Sequence, residues 1–117
     1  MASNFDDEVL PYTTIGTDEA KRMVEAGTRI VDVRRPDEWN YGHIPEATLV
    51  TIEGIYTFGT ALQQENLPLD EDVIFVCAAG QRSAMASEIA SLLGFKKVYN
   101  LARGMSGWTS RGYPTER

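Results

Sequence analysis

The residue in this sequence best suited to chemistry is Cys77, the chain's only cysteine. A run of β-forming residues (73–76) leads directly to it, and a helical pattern begins at Gln81. The N-terminus of a helix carries a partial positive charge and unpaired N–H groups, which stabilise a thiolate relative to a thiol. Arg82 adds a full positive charge nearby. This arrangement predicts a nucleophilic cysteine.

The loop after Cys77 is short and contains a glycine. It consists of Ala78, Ala79, Gly80, Gln81, Arg82 and Ser83. Gly80 permits a backbone conformation that turns N–H groups inward to form an anion-binding nest. Most free cysteines are buried and inert, so an inert Cys77 is the alternative interpretation. The glycine and the polar residues that follow it favour the functional one.

Composition restricts the classes of function. The chain has 117 residues, of which 43% are hydrophobic and 24% charged, as expected for one globular domain. A net charge of −6 without a basic stripe argues against binding nucleic acid. The sequence has no secretory signal pattern and no apolar run near the ~20 residues of a membrane span. With one cysteine and no internal disulfide, a cytoplasmic location is expected.

The order of the predicted elements favours an α/β protein with a mainly parallel sheet. Residues 1–11 are expected to be flexible, and residues 12–117 to form one domain. Strands are predicted over 12–15, 28–33, 47–51, 73–77 and 98–101. Helices are predicted from Thr17 as N-cap to Gly27, over 36–41, 52–64 and 105–110, and from Gln81 to Gly94. The helix from Gln81 should be amphipathic, with Ala84, Ile89, Leu92 and Leu93 on or near one face.

Four motifs occur together in an order typical of one family. They are IVDVR with PDEW (30–39), GHIP (42–45), the loop CAAGQRS (77–83), and residues 101–108 from Leu101 through Gly104 to Trp108. On these motifs the chain resembles the single-domain rhodanese (thiosulfate sulfurtransferase-like) family over residues 12–113. The resemblance implies a central, mainly parallel five-stranded sheet with helices on both faces. It implies no cofactor.

The resemblance also implies a reaction and roles for residues. Cys77 would take a sulfur atom from a donor such as thiosulfate, forming a persulfide, and pass it to cyanide or a thiol. Backbone N–H groups of Ala78, Ala79, Gly80, Gln81 and Ser83 would bind the sulfur substrate. Arg82 would shape the loop and add charge. Asp32 and Glu38 would brace Arg82, with Arg34 as a further supporting residue.

Other interpretations of the same residues are weaker. His43 lies in a structural turn and is not expected to be a catalytic base, and one Cys with one His cannot form a typical zinc site. Cysteine phosphatases and arsenate reductases on this fold place five residues between cysteine and arginine, whereas four separate Cys77 from Arg82. A binding module, or a relay that receives persulfide sulfur from a partner protein, remains an alternative.

Two positions depart from the family pattern. Ala78 and Ala79 stand where relatives often carry a basic residue, so affinity for thiosulfate should be weak unless Arg34, Arg35 or Arg103 lies at the pocket mouth. Arg103 precedes Gly104 where many relatives have two glycines. If that position requires a positive φ, Arg103 is strained by about 1 kcal/mol; otherwise it is a surface cation.

Overall fold

The computed structural model describes residues 10–117, and most of the segment 1–11 that we predicted to be flexible lies outside them. The described residues form one sheet of β1 (Thr13–Ile15), β2 (Arg29–Asp32), β3 (Thr48–Leu49), β4 (Asp72–Val76) and β5 (Lys97–Leu101). The strand order is β1-β5-β4-β2-β3, and every pair is parallel. The prediction of a mainly parallel five-stranded sheet is confirmed.

Helices connect the strands. They are α1 (Thr17–Glu25), α2 (Pro36–Tyr41), α3 (Ile55–Gln64), α4 (Gln81–Leu92) and α5 (Gly104–Ser110). The N-cap of α1 is Gly16 and not Thr17, which is the first helical residue. The helix predicted from residue 52 begins only at Ile55, after Gly54. Among residues 10–117, no helix is long and apolar enough to cross a membrane.

The core has two layers because side chains alternate along the buried central strand. Val73 and Phe75 of β4 belong to a first core with residues of α3 and α4, including Phe58 and Ile89. The intervening Ile74 and Val76 belong to a second core. That core contains Ala20 and Val24 of α1 and Met105 and Trp108 of α5. Helices therefore cover both faces of the sheet, as predicted.

The predicted apolar face of α4 is partly wrong. Ile89 is buried and Leu93 packs against the first core, but Leu92 is 84% exposed. The side of α4 that faces the protein includes two fully buried serines, Ser83 and Ser87. The Ser87 hydroxyl donates to the Ser83 carbonyl at 2.8 Å, so its burial leaves no polar group unpaired. The buried face of α4 thus combines these serines with apolar residues, among them Ile89 and Ala90.

His43 has the structural surroundings of the turn that the sequence indicated. Its backbone N–H donates to the Glu116 carbonyl at 2.8 Å, and the Glu116 N–H donates back at 2.9 Å. The imidazole ring stacks on Trp39 with centroids 3.5 Å apart, and Nδ1 lies 3.1 Å from the Trp39 carbonyl oxygen. The histidine thus joins α2 to the chain's C-terminal residues.

Candidate active site

Cys77 directly follows β4, at the carboxyl end of the central strand, and is 1% exposed. Gly80 is the N-cap of α4 and has a φ of 106°. A Cβ atom at Gly80 would lie 2.2 Å from the carbonyl oxygen of Ala102, so only glycine fits the loop against the end of β5. The tight loop and the close approach of β5 together set the position of the sulfur.

The start of α5 binds two carbonyl groups at the beginning of the cysteine loop. The Met105 N–H donates to the Cys77 carbonyl at 2.8 Å, and the Ser106 N–H donates to the Ala78 carbonyl at 3.0 Å. Gly104 makes this contact possible, since its φ is 54° and a Cβ there would lie 2.3 Å from the Cys77 oxygen. With the carbonyls held by α5, the following N–H groups are left to face Sγ.

The sulfur of Cys77 receives hydrogen bonds from the loop. The Gly80 N–H donates to Sγ at 3.1 Å, and the Ser83 hydroxyl lies 3.3 Å from it. Burial alone raises the pKa of the Cys77 thiol, but the Ser83 hydroxyl and the N–H groups of Ser83, Gly80 and Ala79 outweigh burial and leave the pKa below its ordinary value. The surroundings of Cys77 therefore make its ionisation easier than that of an ordinary cysteine; its role as a nucleophile stays a prediction.

Sequence reasoning did not identify Asn100, which extends this buried network. The Ser83 hydroxyl donates to Asn100 Oδ1 at 2.6 Å, and Asn100 Nδ2 donates to the Gly80 carbonyl at 3.4 Å. Asn100 belongs to β5 and is 5% exposed. An asparagine between Tyr99 and Leu101 of a predicted strand is a signal that could have found it, because asparagine is disfavoured in strands.

Arg82 is paired with Glu38, as the resemblance implied. Its two terminal nitrogens donate to the two carboxylate oxygens at 2.7 and 2.9 Å. The hydrogen bond from Arg82 lowers the pKa of Glu38 to about 2, and the same bond raises the pKa of Arg82. The pair ties α4 to α2 beside the loop. The positive charge of Arg82 is largely balanced by the Glu38 carboxylate. Arg82 therefore stabilises a thiolate at Cys77 less than the sequence suggested.

Asp32 makes no hydrogen bond or ion pair with Arg82 and acts on it only through its charge, which helps raise the Arg82 pKa, so the expected direct brace is corrected. Its carboxylate accepts hydrogen bonds from Arg34 Nε at 3.0 and 3.1 Å and from Arg34 Nη2 at 2.8 Å. Arg34 also donates to the Gly42 carbonyl at 2.8 Å. Both residues are buried, and a buried guanidinium needs the nearest carboxylate as its partner. Asp32 is that partner, because it lies only two residues before Arg34 in the chain.

A groove of about 400 Å³ lies beside the cysteine loop. It is lined by Arg34, Tyr41, Gly42, Ala78, Met105, Ser106, Thr109 and Thr115. Arg103 lines a different cavity, with Thr17, Asp18 and Glu19 of α1. The φ of Arg103 is −103°, so the strain considered for that position does not arise. Within residues 10–117 no cluster of three His, Cys, Asp or Glu side chains is arranged to hold a metal ion.

Comparison with known proteins agrees with this geometry. The Rhodanese-like domain model matches residues 16–111. The chain belongs to the rhodanese-like domain family. A rhodanese-related protein from Thermoplasma volcanium, 28% identical, superposes with a TM-score of 0.75, covering 90% of this chain and 98% of that one.

Two plant relatives of this rhodanese-like chain are informative. Thiosulfate sulfurtransferase 18 of Arabidopsis thaliana is 30% identical, covering 86% of this chain and 81% of the relative. Rhodanese-like domain-containing protein 15, chloroplastic, from the same plant is 28% identical, covering 89% of this chain. The match spans only 61% of that relative's length. Family and relatives together support sulfur transfer in general.

Replacing Gly104 with alanine should damage the loop more than a matched glycine change. Gly112→Ala is the control, because Gly112 also has a positive φ (72°) but has open space around its Cα. We expect Gly112→Ala to lower the free energy of unfolding by about 1 kcal/mol. Gly104→Ala should cost about 1–3 kcal/mol more because of its overlap with the Cys77 carbonyl. Urea denaturation measures both, and equal losses would contradict the proposed contact.

Because of the Glu38–Arg82 pair, we expect the free energy of unfolding to depend on pH in the acidic range. The folded-state pKa of Glu38 is about 2 and its ordinary value is 4.5, so the pair's stabilisation is present above pH 4.5 and is lost as pH falls towards 2. Glu38→Gln should be less stable than wild type at pH 7, with the difference shrinking over this interval. Denaturation at a series of pH values tests this. Glu53→Gln, on an exposed residue, is the control.

Proposed function

We propose that this chain is a sulfurtransferase that carries sulfur as a persulfide on Cys77. The observation that supports the proposal most strongly is the hydrogen bonding of Sγ, which lowers the pKa of a thiol that burial alone would raise. A cysteine with only a packing role has no need of such donors. A nucleophile, and the anionic end of a persulfide, depend on them.

The proposed reaction has two steps. The Cys77 thiolate attacks the outer sulfur of a donor such as thiosulfate, and the donor's S–S bond breaks with its electron pair leaving on sulfite. Cys77 then carries a persulfide. A second nucleophile, cyanide or a thiolate, attacks the terminal sulfur, and the electron pair of the Cys77–sulfur bond returns to Sγ to regenerate the thiolate. With one cysteine in the chain, an external acceptor must complete turnover.

The proposed roles follow the contacts. Gly80 and Ser83 stabilise Sγ, and the backbone of Ala78, Ala79 and Gln81 forms the rest of the sulfur-binding loop. Arg82 and Glu38 hold α4 against α2. Asp32 and Arg34 support the neighbouring groove wall. The proposed place of action is a reducing compartment such as the cytoplasm, because Cys77 must remain a thiol between turnovers.

A relay between proteins is the second candidate, and the charge around the loop favours it. Arg34 is neutralised by Asp32, and Arg82 by Glu38. Arg35 lies 3.1 Å from Asp37 and 3.8 Å from Glu38. The chain as a whole carries −6. Little positive charge remains to attract a small dianion, whereas a persulfide presented by a partner protein does not require it.

A phosphatase is less compatible with the same pairs. Phosphoryl transfer needs a guanidinium directed at the phosphate oxygens. Here both terminal nitrogens of Arg82 are bonded to the Glu38 carboxylate.

Thiosulfate should therefore bind weakly, with an apparent KM above about 1 mM, the upper end of the usual range. Ala79→Lys, at the exposed position of the loop, should lower that KM by restoring positive charge. Ala26→Lys makes the same change in net charge at the C-cap of α1, near the amino-terminal end of β2 and opposite to the end that carries Cys77, and should leave KM unchanged. Cyanide-dependent turnover at physiological salt is the measurement. A wild-type KM well below 1 mM would contradict this prediction.

Intact mass spectrometry tests the proposed function directly. Reduced protein treated with thiosulfate should gain one sulfur, roughly 32 Da, and lose it on adding cyanide. Cys77→Ser should gain nothing. If wild type gains no mass from thiosulfate but does from a protein persulfide, the relay is correct. If neither donor loads Cys77, the proposed function is wrong.

A further inference from the structure

Ser83 lies between two groups that compete for its single hydroxyl proton. Its oxygen is 3.3 Å from Cys77 Sγ and 2.6 Å from Asn100 Oδ1. A serine hydroxyl donates one hydrogen bond at a time. Ser83 is fully buried and Asn100 is 5% exposed, so bulk water is not at hand to replace a lost partner.

The direction of the hydrogen bonds depends on the charge of Cys77. As a thiol, Cys77 can donate its proton to Ser83, which in turn donates to Asn100. As a thiolate, Sγ can only accept, and a Ser83 hydroxyl still directed at Asn100 would present its lone pairs to the anion. Ionisation of Cys77 therefore requires the Ser83 proton to leave Asn100 and turn to the sulfur.

We propose that Asn100 is a positioning residue that competes with Cys77 for the Ser83 proton and so sets how readily Cys77 ionises. Asn100 does not touch the sulfur and acts through Ser83. When Cys77 is a thiol, Asn100 Oδ1 accepts the Ser83 hydrogen bond; when Cys77 is a thiolate, Asn100 Oδ1 loses that hydrogen bond to Sγ. The Gly80 carbonyl stays bonded throughout, because the Ala84 N–H also donates to it at 3.2 Å.

This competition has a consequence for the cycle, which rests on the proposed function. When a persulfide forms, Sγ becomes a neutral sulfur and a poor acceptor. The Ser83 proton can then return to Asn100 instead of being left buried without a partner. One hydroxyl thus serves both the anionic and the neutral forms of Sγ.

The rate of alkylation by iodoacetamide as a function of pH tests the proposal, since its midpoint reports the ionisation of Cys77. Ser83→Ala should raise the midpoint, because one charge-assisted hydrogen bond is lost; below the midpoint the rate should fall roughly tenfold. Asn100→Leu should lower the midpoint, since the competitor is gone. Asn100→Ala is the second variant if leucine is not accommodated.

The double variant separates competition from simple support of the loop. If Asn100 acts through Ser83, then Asn100→Leu has no effect on the midpoint in the Ser83→Ala background. If Asn100 only holds the loop through Gly80, Asn100→Leu raises the midpoint in both backgrounds, and the proposal is wrong. Ser87→Ala, which removes another buried hydroxyl from α4 without contact to Sγ, should leave the midpoint unchanged.

The alkylation experiment can fail independently of the mass-spectrometric test of sulfur transfer. Alkylation requires Cys77 to ionise and iodoacetamide to reach it, but it requires no sulfur transfer. The expected midpoints without any thiosulfate or protein-persulfide adduct would therefore support the competition and reject sulfur transfer. An adduct on wild type with unchanged midpoints in both single variants would do the reverse.

Discussion

The site depends on one physical constraint: the charged form of Cys77 is stabilised mainly by hydrogen-bond donors, because the nearest cation, Arg82, is paired with Glu38. Burial opposes the thiolate, and hydrogen-bond donors must outweigh that cost. The loop after β4 supplies them only because its carbonyls are bonded elsewhere, to the N–H groups of Met105 and Ser106. Gly104 permits that contact on one side and Gly80 permits the approach of β5 on the other. The sheet, α4 and α5 together thus fix the orientation of the peptide groups in the cysteine loop.

The arginines near the loop serve the scaffold more than the sulfur. Arg34 joins Asp32 to the Gly42 carbonyl, and Arg82 joins α4 to α2 through Glu38. Each guanidinium is matched by a carboxylate, because a partly buried cation without a partner would destabilise the fold. The result is a site whose electrostatics come from oriented dipoles at short range. Such a site acts on a bound anion through contact at short range rather than through long-range attraction.

What the sequence predicted well was local in the chain. The strand that ends at Cys77, the glycine in its loop and the alternation of strands and helices all depend on near neighbours. Three features were not predictable in this way. The partner of Asp32 depended on which arginine the fold buries; the exposure of Leu92 depended on the rotation of α4; and Asn100 reaches the loop only because β5 pairs with β4. Each is set by tertiary contacts that the local pattern does not contain.

The unusual face of α4 follows from the same requirement. A helix chosen for stability would bury leucine, yet α4 exposes Leu92 and buries Ser83 and Ser87. The Ser83 hydroxyl lies 3.3 Å from Sγ and belongs to the first turn of the helix. Burying hydroxyls is tolerable because each has a partner. The helix therefore gives up apolar contact at Leu92 and gains a hydrogen-bond donor whose direction can change as the sulfur gains and loses charge.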